Sequence, residues 1–110
     1  MDFEIRKLLQ DVLICINNIN AYIGEKKKFD YYNTNFLLQD AVERNLITIG
    51  EAINNLLKKL PSIKITNARR AVDARNRLTH GYDEIENTQI WNIIINHLPL
   101  LKEEVELLLK

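Results

Sequence analysis

The segment NTNFLLQDAVERNLITIGEAINNLLKKLP (Asn33–Pro61) decides the fold. Leu37, Leu38, Ala41, Val42, Leu46, Ile49, Ile53, Leu56, Leu57 and Leu60 recur at the spacing of one helix face. Asn33 or Thr34 can cap the start of this helix, and Pro61 stops it. The same period extends to both sides. Ile5, Leu8, Leu9, Val12, Leu13, Ile16, Ile19 and Ile23 predict a first helix, ended by Gly24 and the connection Glu25–Lys28. A third helix is expected from a cap at Thr66 or Asn67 to about His80. It is the least apolar, with only Ala68, Ala71, Val72, Ala74 and Leu78 to turn inward, so its arginines must face solvent or a ligand. Asn87 or Thr88 caps a fourth, with Ile90, Trp91, Ile94, Ile95, Leu98, Leu101, Val105 and Leu108 inward. Pro99 should kink or split it, because proline removes a backbone donor and crowds the preceding turn.

No strand alternation competes with this pattern. The expected fold is all-α: residues 1–110 as a single domain, an antiparallel four-helix bundle with the last helix kinked or split at Pro99. The apolar stripes of the first, second and fourth helices are wide, which favours a homodimer.

Composition narrows the function classes. Three glycines and two prolines leave little turn chemistry for a β-sandwich or barrel. Cys15 is the only cysteine, so no intrachain disulfide forms; it reads as core, and a reducing, cytoplasmic setting is expected. No apolar run is long enough to span a membrane, and MDFEIRKLLQD carries acids unlike a signal peptide. No Cys/His cluster has zinc spacing and no glycine-rich phosphate loop is present, so neither metal nor cofactor is expected.

The net charge is zero, with 15 basic and 15 acidic residues, but it is unevenly spread. Lys58 to Arg77 holds seven bases and one acid, whereas Asp83 to Lys110 holds six acids and two bases. The basic segment is either a solvated helix face or a surface for a polyanion.

That segment ends in RNRLTHGY (Arg75–Tyr82). Asn76 and His80 are one helical turn apart and share a face, and Arg75 is long enough to reach it. Gly81 can end the helix and let Tyr82 fold back beside His80. A fixed cation, an imidazole and a phenol at one point suit phosphate chemistry. RNA carries its own nucleophile, the 2′-hydroxyl, so a protein needs only to move that proton, stabilise charge on the phosphoryl oxygens and protonate the leaving oxygen. His80 is the candidate for proton transfer, Arg75 for the phosphate, and Asn76 to orient either; Arg70 and Arg77 can hold flanking phosphates. Bland readings stand beside these. His80 can serve the helix dipole, Arg75 can pair with Asp73, Glu84 or Glu86, and Tyr82 can be a packing aromatic. His97 reads as structural, Trp91 as core or dimer interface, and Glu43 and Glu51 as solvated or salt-bridged residues of one helix face.

RNRLTHGY resembles the Arg-x-x-x-x-His-x-Tyr signature of the HepT-like ribonuclease toxins, a branch of the HEPN domain proteins. Ala41–Leu56 (AVERNLITIGEAINNL) is similar to the family's second-helix signature, and Ile90–Glu106 (IWNIIINHLPLLKEEVE) to its last helix. Many relatives have a Pro-Trp stretch where this chain has Leu60-Pro61-Ser62-Ile63, so the start of the third helix is expected to sit differently. The resemblance implies a helical homodimer with its site near the dimer interface, Arg75 and His80 as the catalytic pair, Asn76 in support and RNA as substrate. It further implies a toxin role, with Tyr82 the tyrosine to which a cognate minimal nucleotidyltransferase antitoxin transfers AMP from ATP. The alternative is a non-catalytic helical partner of a nucleotidyltransferase, a reading favoured by the neutral net charge.

Overall fold

The computed structural model describes residues 2–80 and 85–110, and every regular element among them is helical. The elements are α1 (Phe3–Ile23), α2 (Phe29–Asn33), α3 (Phe36–Lys59), α4 (Ala68–His80), α5 (Asn87–Asn92), a π-helical turn (Ile93–His97) and α6 (Leu98–Leu109).

The helix over Asn33–Pro61 is α3, and it is the centre of the fold, packing on α1 along one side and α4 along another. Val42, Ile53 and Leu56 are fully buried on it. Each such side chain stabilises the fold by roughly 1.5–3 kcal/mol relative to exposure. The stripe is narrower at its ends than the sequence suggested, since Leu37 is 83% exposed and Leu60 also faces solvent. The cap is Asn35, one residue beyond the expected pair, whose side chain accepts from the Leu38 N–H at 3.0 Å. Of the expected cap residues, Asn33 ends α2 and Thr34 is its C-cap; the sequence reading assigns no element to residues 29–32, where this short helix forms.

Three fully or partly buried rings make α2 possible. Tyr32 is fully buried, and Tyr32 and Phe29 each approach the Trp91 ring at 5.8 Å between centroids. Buried Gln39 on α3 donates to the Tyr32 carbonyl at 3.0 Å, which satisfies an amide that burial would otherwise penalise. The Trp91 ring is thus half-buried core against α2.

α1 ends as expected, at Gly24 with φ +81°, a conformation open to glycine at little cost. α6 packs on α1 and closes the core with Leu98, Leu101 and Val105. Glu104 of α6 accepts from both the Thr66 N–H and the Thr66 hydroxyl, so Thr66 anchors the segment leading into α4. The last helix starts one residue earlier than expected, at a capping box between Glu86 and Gln89.

Ahead of Pro99 the last helical rod is interrupted between α5 and α6. The disturbance is a wide turn placed before the proline, in which the Leu98 N–H donates to the Ile93 carbonyl five residues back. A wider turn makes room for the proline ring, which in a regular α-helix would meet the carbonyl four residues earlier.

Candidate functional site

α4 carries the residues singled out for chemistry, and it docks with little apolar surface. Ala68, Val72 and Ala74 are its buried residues. What replaces a broad apolar stripe is close approach at Gly50 of α3. A Cβ at Gly50 would lie 2.2 Å from Arg75 Cβ and 2.7 Å from the Ala71 carbonyl oxygen. No other residue fits there, so the Ile-Gly-Glu-Ala run in α3 seats the stem of Arg75 in α4.

That seating sets the geometry of the arginine. Arg75 is half-buried, and its Nε is a buried donor with no hydrogen-bond partner among the described residues. Its Nη1 donates to Asn76 Oδ1 at 2.9 Å. The side chain is therefore seated at its stem against Gly50, and its guanidinium is held by Asn76. A buried unpaired N–H on a cation is rare in folded proteins and is satisfied well by an anion.

Asn76 and His80 lie one turn apart on continuous helix, on one face, as expected. His80 is exposed in the last turn of α4, and Asn76 is half-buried. The Thr79 hydroxyl donates to the carbonyls of Arg75 (2.9 Å) and Asn76 (3.3 Å), tying down the end of the helix that presents His80. Gly81 and Tyr82 lie outside the described residues, as does Glu84, one of the acids considered as a partner for Arg75.

The two flanking arginines lie along a different side of α4. Arg70 and Arg77 both line an open groove of about 400 Å³ between α4 and the α5 end of the last helical rod. Arg70 is exposed, and its Nη1 lies 3.4 Å from His97 Nε2. His97 also meets Asn67 (Nδ1 to Nδ2, 3.4 Å) and Asn92 (Nε2 to Nδ2, 3.5 Å). The structure thus brings His97, read from sequence as structural, into polar contact with a residue read as an RNA contact. The signal available in the sequence was the polar pair Asn96-His97 two residues before Pro99, within an otherwise apolar helix.

Glu43 and Glu51 do not join this site. Glu51 is exposed, and Glu43 lines a separate shallow groove with Asp40 and Arg44. Burial, and then the charge of Asp40, push the Glu43 carboxyl up from its ordinary value. Burial, and then Glu43, push the Tyr32 phenol up, and its hydroxyl has no partner among the described residues. Cys15 is buried as expected, and desolvation followed by Asp11 raises its thiol. No group of three metal-capable side chains gathers among the described residues, and no helix there is long and apolar enough to cross a membrane.

The family described as "Ribonuclease HepT-like" matches residues 12–108. Two curated relatives from Methanocaldococcus jannaschii are similar along nearly their whole length. "Putative RNase MJ0127" is 32% identical over 97% of this chain and 88% of its own. "Putative RNase MJ1380" is 32% identical over 94% of this chain and 95% of its own. A third, "Gamma-glutamylcyclotransferase and putative RNase MJ0434", is 29% identical and aligns over 93% of this chain but 46% of its own length. No solved structure matches.

Proposed function

The chain belongs to the HepT-like ribonuclease family of the HEPN superfamily, and from that premise we propose that it is a metal-independent endoribonuclease acting as the toxin of a toxin–antitoxin pair. The observation that carries this reading is the clamped arginine: Arg75, seated on Gly50, with a buried Nε–H that has no partner among the described residues and its head on Asn76, one turn from His80.

The chemistry follows from those groups. His80 takes the proton from the ribose 2′-hydroxyl as that oxygen attacks the adjacent phosphorus. Arg75 donates to the phosphoryl oxygens, whose charge grows as the fifth bond to phosphorus forms. The bond from phosphorus to the 5′-oxygen then breaks. The imidazolium returns its proton to that leaving oxygen, so the step consumes neither water nor protons. The products are a 2′,3′-cyclic phosphate and a free 5′-hydroxyl. Asn76 holds the guanidinium in place, and Arg70 and Arg77 hold flanking phosphates.

The same reading supplies regulation and assembly. Tyr82, two residues past His80, is the acceptor for AMP from a cognate nucleotidyltransferase antitoxin. Each added phosphodiester brings negative charge and bulk to a site made to receive an RNA phosphate. The helices assemble as a four-helix bundle that pairs into a homodimer in the cytoplasm, with the site near the subunit interface. Exposed Phe36 and Leu37, at 80% and 83%, are apolar surface that such pairing would use. The zero net charge supports a second reading, a non-catalytic partner of the nucleotidyltransferase that binds RNA weakly or not at all.

One experiment separates the two. Purified, unmodified protein is incubated with total RNA in EDTA beside His80→Ala. The ribonuclease reading requires cleavage by the wild type only, leaving 2′,3′-cyclic phosphate ends. Equal cleavage by His80→Ala would remove His80 from the mechanism. Absence of cleavage by protein whose intact mass shows no modification would favour the binding-partner reading.

A further inference from the structure

The groove between α4 and the last helical rod holds features that contact with phosphates does not explain. Arg70, Asp73, Ala74 and Arg77 fall at intervals of three and four on one face of α4 and form one wall. Thr88, Gln89, Asn92 and His97 come from the opposite wall, with Ile93 between them. At about 400 Å³ the groove lies within the range of small-ligand sites, about 300–1,000 Å³. Arg77, on its wall, is three residues before His80 on the same helix.

Its lining is mixed in a telling way. A track for backbone phosphates alone would be lined by cations. Here Asp73, an acceptor, stands between the two arginines, and the facing wall contributes amides that carry a donor and an acceptor each. Ala74 and Ile93 supply apolar surface beneath them. A nucleobase edge presents both donors and acceptors and its faces are apolar, so it matches this surface better than a phosphate does.

The π-helical turn adds an independent observation. Such turns are rare and occur often at functional sites. This one ends on His97, whose ring is held by Arg70, Asn67 and Asn92 within 3.5 Å. Asn67 from the turn before α4, Arg70 from α4 and Asn92 from α5 approach the imidazole nitrogens at 3.4–3.5 Å. A flat imidazole and guanidinium of this kind are stacking surfaces for an unpaired base.

We propose that this groove is a base-selective subsite for the single-stranded nucleotide flanking the scissile phosphate, with His97 and Asn92 as its specificity residues. The proposal rests on the ribonuclease reading only for the word scissile; the base selectivity stands on the groove itself.

The test is equilibrium binding, which does not depend on cleavage. Fluorescence anisotropy is measured with 2′-O-methyl hexanucleotides of A, C, G and U, which cannot react. The wild type is expected to prefer one base over the weakest by about tenfold. His97→Ala should level the four to within about threefold while still binding them through Arg70 and Arg77. Asn92→Ala, at an exposed position that cannot threaten the core, should weaken the preference in the same direction. Equal affinity of the wild type for all four, no binding, or an unchanged preference in both variants would overturn the subsite. Cleavage of ordinary RNA by the same preparation is read in parallel. Cleavage with flat base preference sinks the subsite alone, and base-selective binding without cleavage sinks the ribonuclease reading alone.

Discussion

α3 and α4 lie against each other and are built on opposite principles. α3 buries nine residues and packs on α1, α2 and α4, whereas α4 buries three, two of them alanines. One helix is held by apolar area. The other is held by fit, through the space that Gly50 leaves for Arg75 and Ala71. A helix docked by fit can carry arginines and a histidine at the surface without a broad apolar stripe. The contrast divides labour: α3 buries the core, and α4 presents the polar candidates Arg75, Asn76 and His80.

Substitutions can break that division. Ile53→Ala, in the fully buried stripe of α3, should cost about 2–5 kcal/mol in urea unfolding, yet the folded fraction should keep its cleavage rate. A comparable fall in rate per folded molecule would mean the core also tunes the site. Gly50→Ala inserts one methyl group where Arg75 Cβ already stands, and overpacking of this kind costs about 1–3 kcal/mol. Unlike Ile53→Ala, it should also lower the cleavage rate of the folded protein, because α4 or Arg75 must shift to admit the methyl. Unchanged kinetics would show that the close approach is only structural.

Smaller changes sharpen the comparison. Asn76→Ala removes the acceptor for Arg75 Nη1 and should reduce cleavage by about tenfold and lower stability in urea unfolding by about 1.5–3 kcal/mol, the worth of a hydrogen bond to a charged group. Thr79→Ala frees two carbonyls at the end of α4 and should cost about 0.5–1.5 kcal/mol in thermal unfolding. Cys15 is buried and its thiol is raised by desolvation, then by Asp11, so it should react with a thiol reagent only as the protein unfolds. Rapid labelling of native protein would show that α1 opens locally.

The same contrast explains how much was legible in the sequence. Apolar period alone marked α1, α3 and the last helix, because burial of area leaves a regular trace. It could not mark α2, whose five residues rest on tertiary contacts of Phe29 and Tyr32 with Trp91. It marked a disturbance at Pro99 and crowding of the preceding turn, but not that the chain relieves the clash with a π-helical turn. In α4 the sequence marked the candidate residues and showed that Asn76 and His80 share a face. It did not show that Arg75 donates to Asn76, which depends on side-chain rotamers, nor that Gly50 seats Arg75 or that Arg70 meets His97, which depend on distances between helices. Tyr82 was marked by its motif and lies outside the described residues.

The central claim is that a clamped guanidinium, rather than positive charge alone, makes α4 a site. The most direct test is the rate of RNA cleavage in EDTA by Arg75→Lys. Lysine keeps the charge but has neither the Nε–H nor the fork, so cleavage should fall by about 10²–10³-fold with the unfolding midpoint nearly unchanged. Cleavage within about threefold of wild type would contradict the account, because a point charge would then suffice.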